Sequence, residues 1–594
     1  MCRIAGRVTS ESRRDFSSGL NSMLRSLVHG GPDDEGTYTD DRVALGHRRL
    51  SIIDLTSAGH QPMIAQSPEV IISYNGEIYN YLSLKNELVA LGVLFHTETD
   101  TEVVLKGFQQ WGVSLFDRLE GIFAIALYDK ANKLFYLIRD HLGIKPIYYF
   151  LNDKELIFSS EVKAFRALDP LWKENEDWKV LFLAFGSIPH PYTTLAGVLQ
   201  VAAGSYLVLD LNDFSHKTNF YYKFNSENYT VKSSDEALAM IGSASRDSIR
   251  KNLVADAPLG IFLSGGIDSS LITLLADQTQ SNIRTISVNF DEASYDEKPF
   301  QQMVLNKTSN VVHITHRVTE QTFWTQLDDI WDAMDQPSID GVNTYFTTRC
   351  AKEDGLKVAL SGIGADEIFG GYASFRRIQW MRLFRQLPFK KLIARFARMI
   401  KKSWGRLIYL TMPGETGDYL SLRGIFTPSE IASLLNISIS KVWDVLQGIP
   451  REHPAIMSDK EYASFLEAKF YLNNQLIKDT DFMGMWHAVE VRAPFLDIAL
   501  VKKVHSIPPA LRYNDISPKY LLTVSNKGIL PHEIVFRVKK GFTFPFAIWI
   551  KKGAEKFNQL LPIGPEVDNV RADFEKGRCH WSKYWSLAVM KQFK

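Results

Sequence analysis

The stretch Ser264-Gly265-Gly266-Ile267-Asp268-Ser269-Ser270, entered from the apolar run 259–263, constrains this chain more than any other. An apolar run, two glycines and then small hydroxyl residues predict a strand, a tight turn and the start of a helix. Glycine lets backbone amides approach an anion closely, and the N-terminus of the following helix favours negative charge. No lysine follows the glycines, so this is not the phosphate loop that ends in Gly-Lys-Ser/Thr. Asp268 cannot hold a bare phosphate by its own charge; it fits Mg²⁺ shared between a carboxylate and phosphates. From about residue 236, further strands near 285–290, 311–315 and 357–360 alternate with helical patterns. That rhythm predicts a doubly wound parallel sheet with its ligand at the carboxyl ends of the strands.

At 594 residues the chain exceeds a single hydrophobic core, so two or more domains are expected. A net charge of +1 argues against nucleic acid as a partner of the whole chain. Cys2, Cys350 and Cys579 are too widely spaced for a disulfide framework or a zinc pattern. No stretch is long and apolar enough to span a membrane, and the start lacks a signal-peptide core, so a cytoplasmic protein is expected.

The start, Met1-Cys2-Arg3-Ile4-Ala5-Gly6, sets a thiol next to the first residue. Trimming of the methionine would give Cys2 its own base, an α-amine with a pKa of roughly 8. Then come His29-Gly30-Gly31-Pro32-Asp33, Gly46-His47-Arg48-Arg49-Leu50-Ser51-Ile52, Asn75-Gly76-Glu77-Ile78-Tyr79-Asn80 and Asp100-Thr101-Glu102. Strand-like runs follow at 121–128, 134–139, 147–150 and 156–159.

This ordered series resembles the glutaminase domain of asparagine synthetases, of the N-terminal-nucleophile class. The glycine turn resembles the SGGxDSS pyrophosphate loop of ATP pyrophosphatases, which cleave ATP between the α- and β-phosphates to make an acyl-adenylate. Further matches are residues 139–146 (RDxxGxKP), 160–164 (SExKA), 361–372 (SGxGxDExFGGY), 490–497 (ExRxPFLD), Lys519 with its neighbours, and 537–542 (RxKxGF). The resemblance to glutamine-hydrolysing asparagine synthetases covers nearly the whole chain, roughly 375–460 excepted. It implies an α/β and α+β protein: an αββα sandwich over residues 1–215 and a doubly wound ATP-pyrophosphatase domain over 236–594.

Hydrolysing a side-chain amide needs a nucleophile, an oxyanion hole and a grip on both charged ends of glutamine. The resemblance assigns these to Cys2, to the Asn75 amide with the Gly76 N–H, and to Arg49 for the α-carboxylate with Glu77 and Asp100 for the α-ammonium. A strand end after 70–73 is expected to hold Asn75 and Gly76. ATP would be taken by Leu263, Ser264, Gly265, Gly266, Asp268, Ser269, Ser270, Val288, Ser361 and Gly362, and Mg²⁺ by Asp268 and Asp366. Lys519 would neutralise charge on the α-phosphate and the departing pyrophosphate.

Three departures from the family pattern stand out. Arg3 replaces a glycine and Gly30 an arginine, which suggests that Arg3 fills the place left at 30. Ile363 stands where several relatives carry an acid that could help remove a proton from the attacking amine. Phe482, Gly484 and Trp486, after Asp481, alter what is expected to be a wall of the acceptor pocket.

Residues 375–406 hold eleven lysines and arginines and no acid. Leu392, Ile393, Phe396, Met399 and Ile400 recur at helical spacing among Lys391, Arg395, Arg398 and Lys402. The favoured reading is a helix packing its apolar face on the domain; the other is contact with an anionic membrane surface. The expected partners are glutamine, ATP and a carboxylate acceptor, and a homodimer is compatible with the pattern. The expected product is asparagine. A uronic acid or natural-product carboxylate is the second choice of acceptor, and a non-catalytic relative comes last.

Overall fold

The computed structural model describes residues 2–593 apart from 13–16, 225–228, 281, 390, 391, 394, 395, 397–401 and 453–456. Met1, and with it the expected trimming, lies outside them, as do Lys391, Arg395, Arg398, Met399 and Ile400 of the basic segment. In chain order the first strands are β1 (Arg3–Thr9), β2 (Asp34–Thr39), β3 (Val43–Arg49), β4 (Met63–Ala65), β5 (Val70–Ile78) and β6 (Gly121–Asp129). They continue with β7 (Leu134–Arg139), β8 (Tyr148–Leu151), β9 (Glu155–Ser159), β10 (Leu199–Gln200), β11 (Ser205–Asp210) and β12 (His216–Phe220). These strands form two six-stranded sheets, ordered β10-β8-β9-β1-β3-β2 and β12-β11-β7-β6-β5-β4.

Ile4, Val8 and Leu45 of the first sheet meet Ile71, Ala124 and Leu137 of the second in one core. The helix Ser17–Ser26 covers the outside of the first sheet with Leu20, Met23 and Leu24, a spacing that puts all three on one face. The helix Asp100–Trp111 covers the second with Val104 and Phe108. The layers are therefore helix, sheet, sheet, helix. Covered on both faces, β5 is buried at every position, so it hides polar residues inside an otherwise apolar run. For the same reason Asn75 and Gly76 lie within β5, paired with Ala124 and Phe123 of β6, and not at a strand end. The second sheet's edge strand β12 also lies beyond residue 215.

The remaining strands are β13 (Leu259–Phe262), β14 (Ile283–Asn289), β15 (Val311–Arg317), β16 (Val358–Leu360) and β17 (Glu490–Arg492). They make a parallel five-stranded sheet in the order β15-β14-β13-β16-β17. The chain order reverses between β13 and β16, so the loops after these two strands flank one crevice. The helix Ile267–Asp277 follows the first loop and packs Leu271, Ile272 and Leu275 with Ile261. Leu50, Ile52 and Ile122 of the first unit belong to that same core, so the two units share apolar contact.

In the basic segment, the helix Ser374–Gln386 buries Phe375, Ile378 and Met381 but leaves Trp380 and Leu383 exposed. Of the apolar residues expected to pack on the domain, Leu392 and Phe396 are exposed, and Met399 and Ile400 lie outside the described residues. Among the described residues no helix is long and apolar enough to cross a membrane.

Candidate active sites

Cys2 is buried at the head of β1, and its N–H donates to Asn75 Oδ1 at 3.1 Å. Asn75 Nδ2 is buried and has no partner, which leaves an amide donor beside the thiol. A buried donor is normally satisfied, so this one is explained by an acceptor that arrives with a substrate. Burial pushes the Cys2 thiol up, while the Leu50 backbone and Arg49 pull the other way.

Arg49 ends β3 with its guanidinium turned onto a loop: Nη1 donates to the Thr56 carbonyl at 2.7 Å and Nη2 to that of Asp54 at 2.5 Å. A Cβ at Gly59 would lie 1.9 Å from Nη2, so the loop closes on the arginine only because residue 59 has no side chain. Asp100 is likewise occupied, accepting from the Tyr74 hydroxyl at 2.9 Å and the Ile78 N–H at 3.0 Å. Glu77 is not: among the described residues its buried Oε2 has no hydrogen bond, and Arg492 Nη2 of β17 lies 3.7 Å away. Burial, then Glu490 and Asp100, raise the Glu77 carboxyl well above its usual range. Glu77 and Glu490 share the one Arg492 guanidinium, and Asp100 adds its negative charge beside Glu77, a deficit of positive charge that an ammonium would relieve.

Arg3 occupies the space beside Gly30, whose added Cβ would fall 2.7 Å from Arg3 Cγ and 2.9 Å from Nε. Its guanidinium is fully buried, with Nε 2.6 Å from Glu161 Oε1 and Nη1 2.8 Å from Asp481 Oδ2. Glu161 also meets His29 at 2.9 Å and Lys163 at 3.2 Å, and Lys145 lies 3.5 Å from Asp481. Asp481 sits on the helix Ile477–Trp486 of the second unit, so the residue after the thiol ties the two units together. Phe482 and Trp486 serve the same junction. Phe482 joins the cluster of Leu20, Met23 and Leu24, and the Trp486 ring lies 5.0 Å from that of His29 with its N–H on Asp329 at 3.0 Å. Both side chains thus pack between the units, where an acceptor wall was expected.

Asp335 accepts from the Val162 and Lys163 N–H groups at 2.8 Å each and is buried at this junction. Burial, and then Glu161, push its carboxyl up to about 7. A carboxyl raised above its unfolded value binds its proton more tightly when folded, so its contribution to stability is present below about pH 4 and falls as pH rises toward 7. Asp335→Asn is expected to flatten the pH dependence of the unfolding temperature over that window, and an unchanged slope would count against this assignment.

At the other site, Gly265 adopts a φ of +72°, and a Cβ there would meet Phe300 Cβ at 2.8 Å. Ser269 Oγ accepts from the Ser264 N–H at 3.2 Å and fixes the turn. Buried Leu263 and Val288 lie on the neighbouring strand ends, and Ser361 is tied by its N–H to the Arg492 carbonyl at 2.8 Å. The two glycine turns touch: a Cβ at Gly362 would lie 2.6 Å from Asp268 Cβ. Lys519 Nζ lies 2.5 Å from Asp268 and 2.8 Å from Asp366, and Lys539 Nζ is 2.6 Å from Asp366. Lys519 itself is left-handed at φ +49°, a strain that persists where the surroundings hold a residue in place. Burial works upward on Asp366, but Lys519 and Lys539 hold it down at about 2. For Asp268 burial prevails and the carboxyl is raised.

Two cations join this site beyond those expected. Lys539 also donates to the Gly371 carbonyl at 3.0 Å, and Arg537 donates to the Gly265 carbonyl at 3.1 Å while pairing with Glu297. The signal for both was the 537–542 match. Ile363 packs, partly buried, against the apolar core and brings no charge.

The sequence model of the glutamine amidotransferase domain matches residues 1–222, and that of asparagine synthase matches residues 241–562. The chain is 31% identical to asparagine synthetase (glutamine-hydrolyzing) 1 of Bacillus subtilis strain 168, over 90% of this chain and 84% of that protein. It is 29% identical to asparagine synthetase (glutamine-hydrolyzing) 3 of the same organism, over 96% and 91%. To amidase chry2 of Gibberella zeae it is 26% identical, over 96% and 93%. With two glycine turns gathered on one lysine and a buried thiol beside an unpaired amide, the chain belongs to the asparagine synthase family, as an ATP-dependent ligase that hydrolyses glutamine for its nitrogen.

Proposed function

We propose that the chain activates aspartate with ATP and amidates it with nitrogen from glutamine, giving asparagine, AMP and pyrophosphate. The observation that carries this reading is the convergence of Asp268, Asp366 and Lys519 at the switch point of the parallel sheet. Cys2 attacks the glutamine amide, and the tetrahedral oxyanion is held by Asn75 Nδ2 and the Gly76 N–H. Arg49 takes the α-carboxylate with the N–H groups its loop leaves over; Glu77, backed by Asp100, takes the α-ammonium. Leu263 and Val288 border the base, Ser361 and Gly362 the adenosine, and residues 264–270 the phosphates.

Two carboxylates that meet beside the phosphate loop offer the oxygen ligands Mg²⁺ takes together with phosphates, so Asp268 and Asp366 would hold the ion in place of part of their lysine pairing. When bound, it neutralises charge on the phosphates. Lys519 then supplies positive charge as pyrophosphate leaves. We take the glutaminase unit as 1–215, with the edge strand β12 reaching just past it, and the synthetase unit as 236–594. Ammonia is mostly protonated near pH 7, so its release inside the same chain avoids that loss.

A second reading keeps both reactions and changes the acceptor. Ile363 favours it, because an uncharged side chain cannot assist the attacking amine, and so does likeness to a relative named an amidase. Release of AMP and pyrophosphate with glutamine, ATP and candidate acceptors added singly separates the two. Asparagine formed from aspartate supports the first reading; amidation of another carboxylate alone sinks it.

Cys2→Ala is expected to abolish glutamine use and leave ammonia-dependent synthesis intact, and equal loss of both would contradict two separate sites. Glu77→Gln is expected to lower kcat/KM for glutamine about 10- to 100-fold, the worth of a charged hydrogen bond. Its rate with ammonia should not move.

A further inference from the structure

We propose that the exposed face of the helix Ser374–Gln386, with Leu387 and Phe389 after it, docks on the surface of an anionic lipid bilayer. The helix is fixed to the body from within: Phe375, Ile378 and Met381 are buried, Arg385 Nε lies 2.6 Å from Asp418 and Arg382 Nη1 2.6 Å from Asp459. Its other face is turned to solvent. Trp380 is 67% exposed, Leu383 and Leu387 continue the stripe, and Phe389 follows at 79%. Arg376 and Arg377 stand one turn before Trp380 and are exposed. Single exposed apolar residues need no explanation, but a run of this kind marks an interaction site.

Charge decides the occupant. Arg382 and Arg385 are answered by Asp459 and Asp418, but Arg376 and Arg377 stand exposed on the free face, in a stretch whose sequence from 375 to 406 has no acid. A second copy seated on this face would set that charge against itself, at a cost in repulsion. A soluble polyanion would answer the cations and leave Trp380, Leu383 and Phe389 in water. A bilayer with anionic headgroups meets both demands, taking apolar side chains at the acyl boundary and cations at the headgroups. The helix starts two residues after Tyr372, the last residue of the turn that carries Asp366, so docking would hold the adenylation loop close to the lipid surface. The proposal does not depend on which carboxylate is amidated.

The test is flotation of the full chain with vesicles of phosphatidylcholine alone, or of phosphatidylcholine with about 40% phosphatidylglycerol, at roughly 50 and 500 mM salt. Binding is expected to the anionic vesicles only, weaker at high salt. Arg376→Glu with Arg377→Glu is expected to weaken it by at least about 25-fold, at roughly fivefold per basic residue. Trp380→Ser with Leu383→Ser is expected to weaken it about tenfold or more. ATP–pyrophosphate exchange without vesicles should stay unchanged in both double variants, which shows that they fold. Absence of binding to anionic vesicles at low salt overturns the proposal, as does binding indifferent to either double variant. Loss with the charge variant alone would mean counter-ion attraction without insertion, and would overturn it too.

Discussion

Arg3→Met is expected to destabilise the protein by about 3–5 kcal/mol, the usual cost of removing one partner from a buried ion network. The guanidinium is shared by Glu161 and Asp481, and all three side chains are buried. Without it, Asp481 keeps, among the described residues, an ion pair with Lys145 alone, at 3.5 Å. Methionine fills much of the volume, so the loss reports charge more than a cavity. Because Arg3 neighbours Cys2 and spans the junction, kcat/KM for glutamine should fall with stability. The sharper test is the exchange of the two departures. Gly30→Arg alone should destabilise, since its side chain would start 2.7 Å from Arg3 Cγ. Arg3→Gly alone should also destabilise, by removing the cation. Combined, they return a guanidinium to the same space from the opposite side, and most of the loss should be recovered. Thermal unfolding of the four proteins closes a double-mutant cycle. Additive losses would show that the two positions do not substitute for each other.

Local chemistry was legible in the sequence, and distant chemistry was not. The strand, turn and helix at 259–277 followed from glycines and an apolar run, signals that act within a few residues. The nearness of Arg3 to Gly30 was inferred from a pair of compensating departures, and the contact is there. Its partner Asp481 could not be read, because nothing periodic links residues so far apart. The same holds for Lys539 on Asp366 and for Arg492 near Glu77. Asn75 and Gly76 were expected at a strand end after the apolar run 70–73. Covering on both faces carried β5 on through them to Ile78, and burial of the Asn75 and Glu77 side chains is what gives the site its unpaired donor and acceptor. In the basic segment helical spacing gathered apolar residues on one side. It carried no information on whether the body or the solvent would face them.

Lys519→Met is expected to lower ATP–pyrophosphate exchange by about 10²–10³, the effect of deleting one preorganised charge at a developing anion. Nζ stands between Asp268 and Asp366, and its own pKa is set by three influences. Burial pulls it down, and the two carboxylates outweigh burial, so it stays charged well above neutrality. Its effect should therefore show no titration near pH 7. Lys519→Arg should not restore the rate. A Cβ on Gly371 would lie 2.8 Å from Lys519 Cε, so the space fits a slim stem and a point charge better than a planar guanidinium. Glutamine hydrolysis should survive in both variants, since Cys2 and Asn75 lie in the other unit. Removal of the ammonium also leaves the two acids with Lys539 as their nearest cation. Without nucleotide, Lys519→Met should then bind Mg²⁺ more tightly than the parent in a titration with the metal alone, because no ammonium competes for the carboxylates. Unchanged exchange would remove Lys519 from the reaction, and unchanged or weaker Mg²⁺ binding would separate Asp268 and Asp366 from the ion.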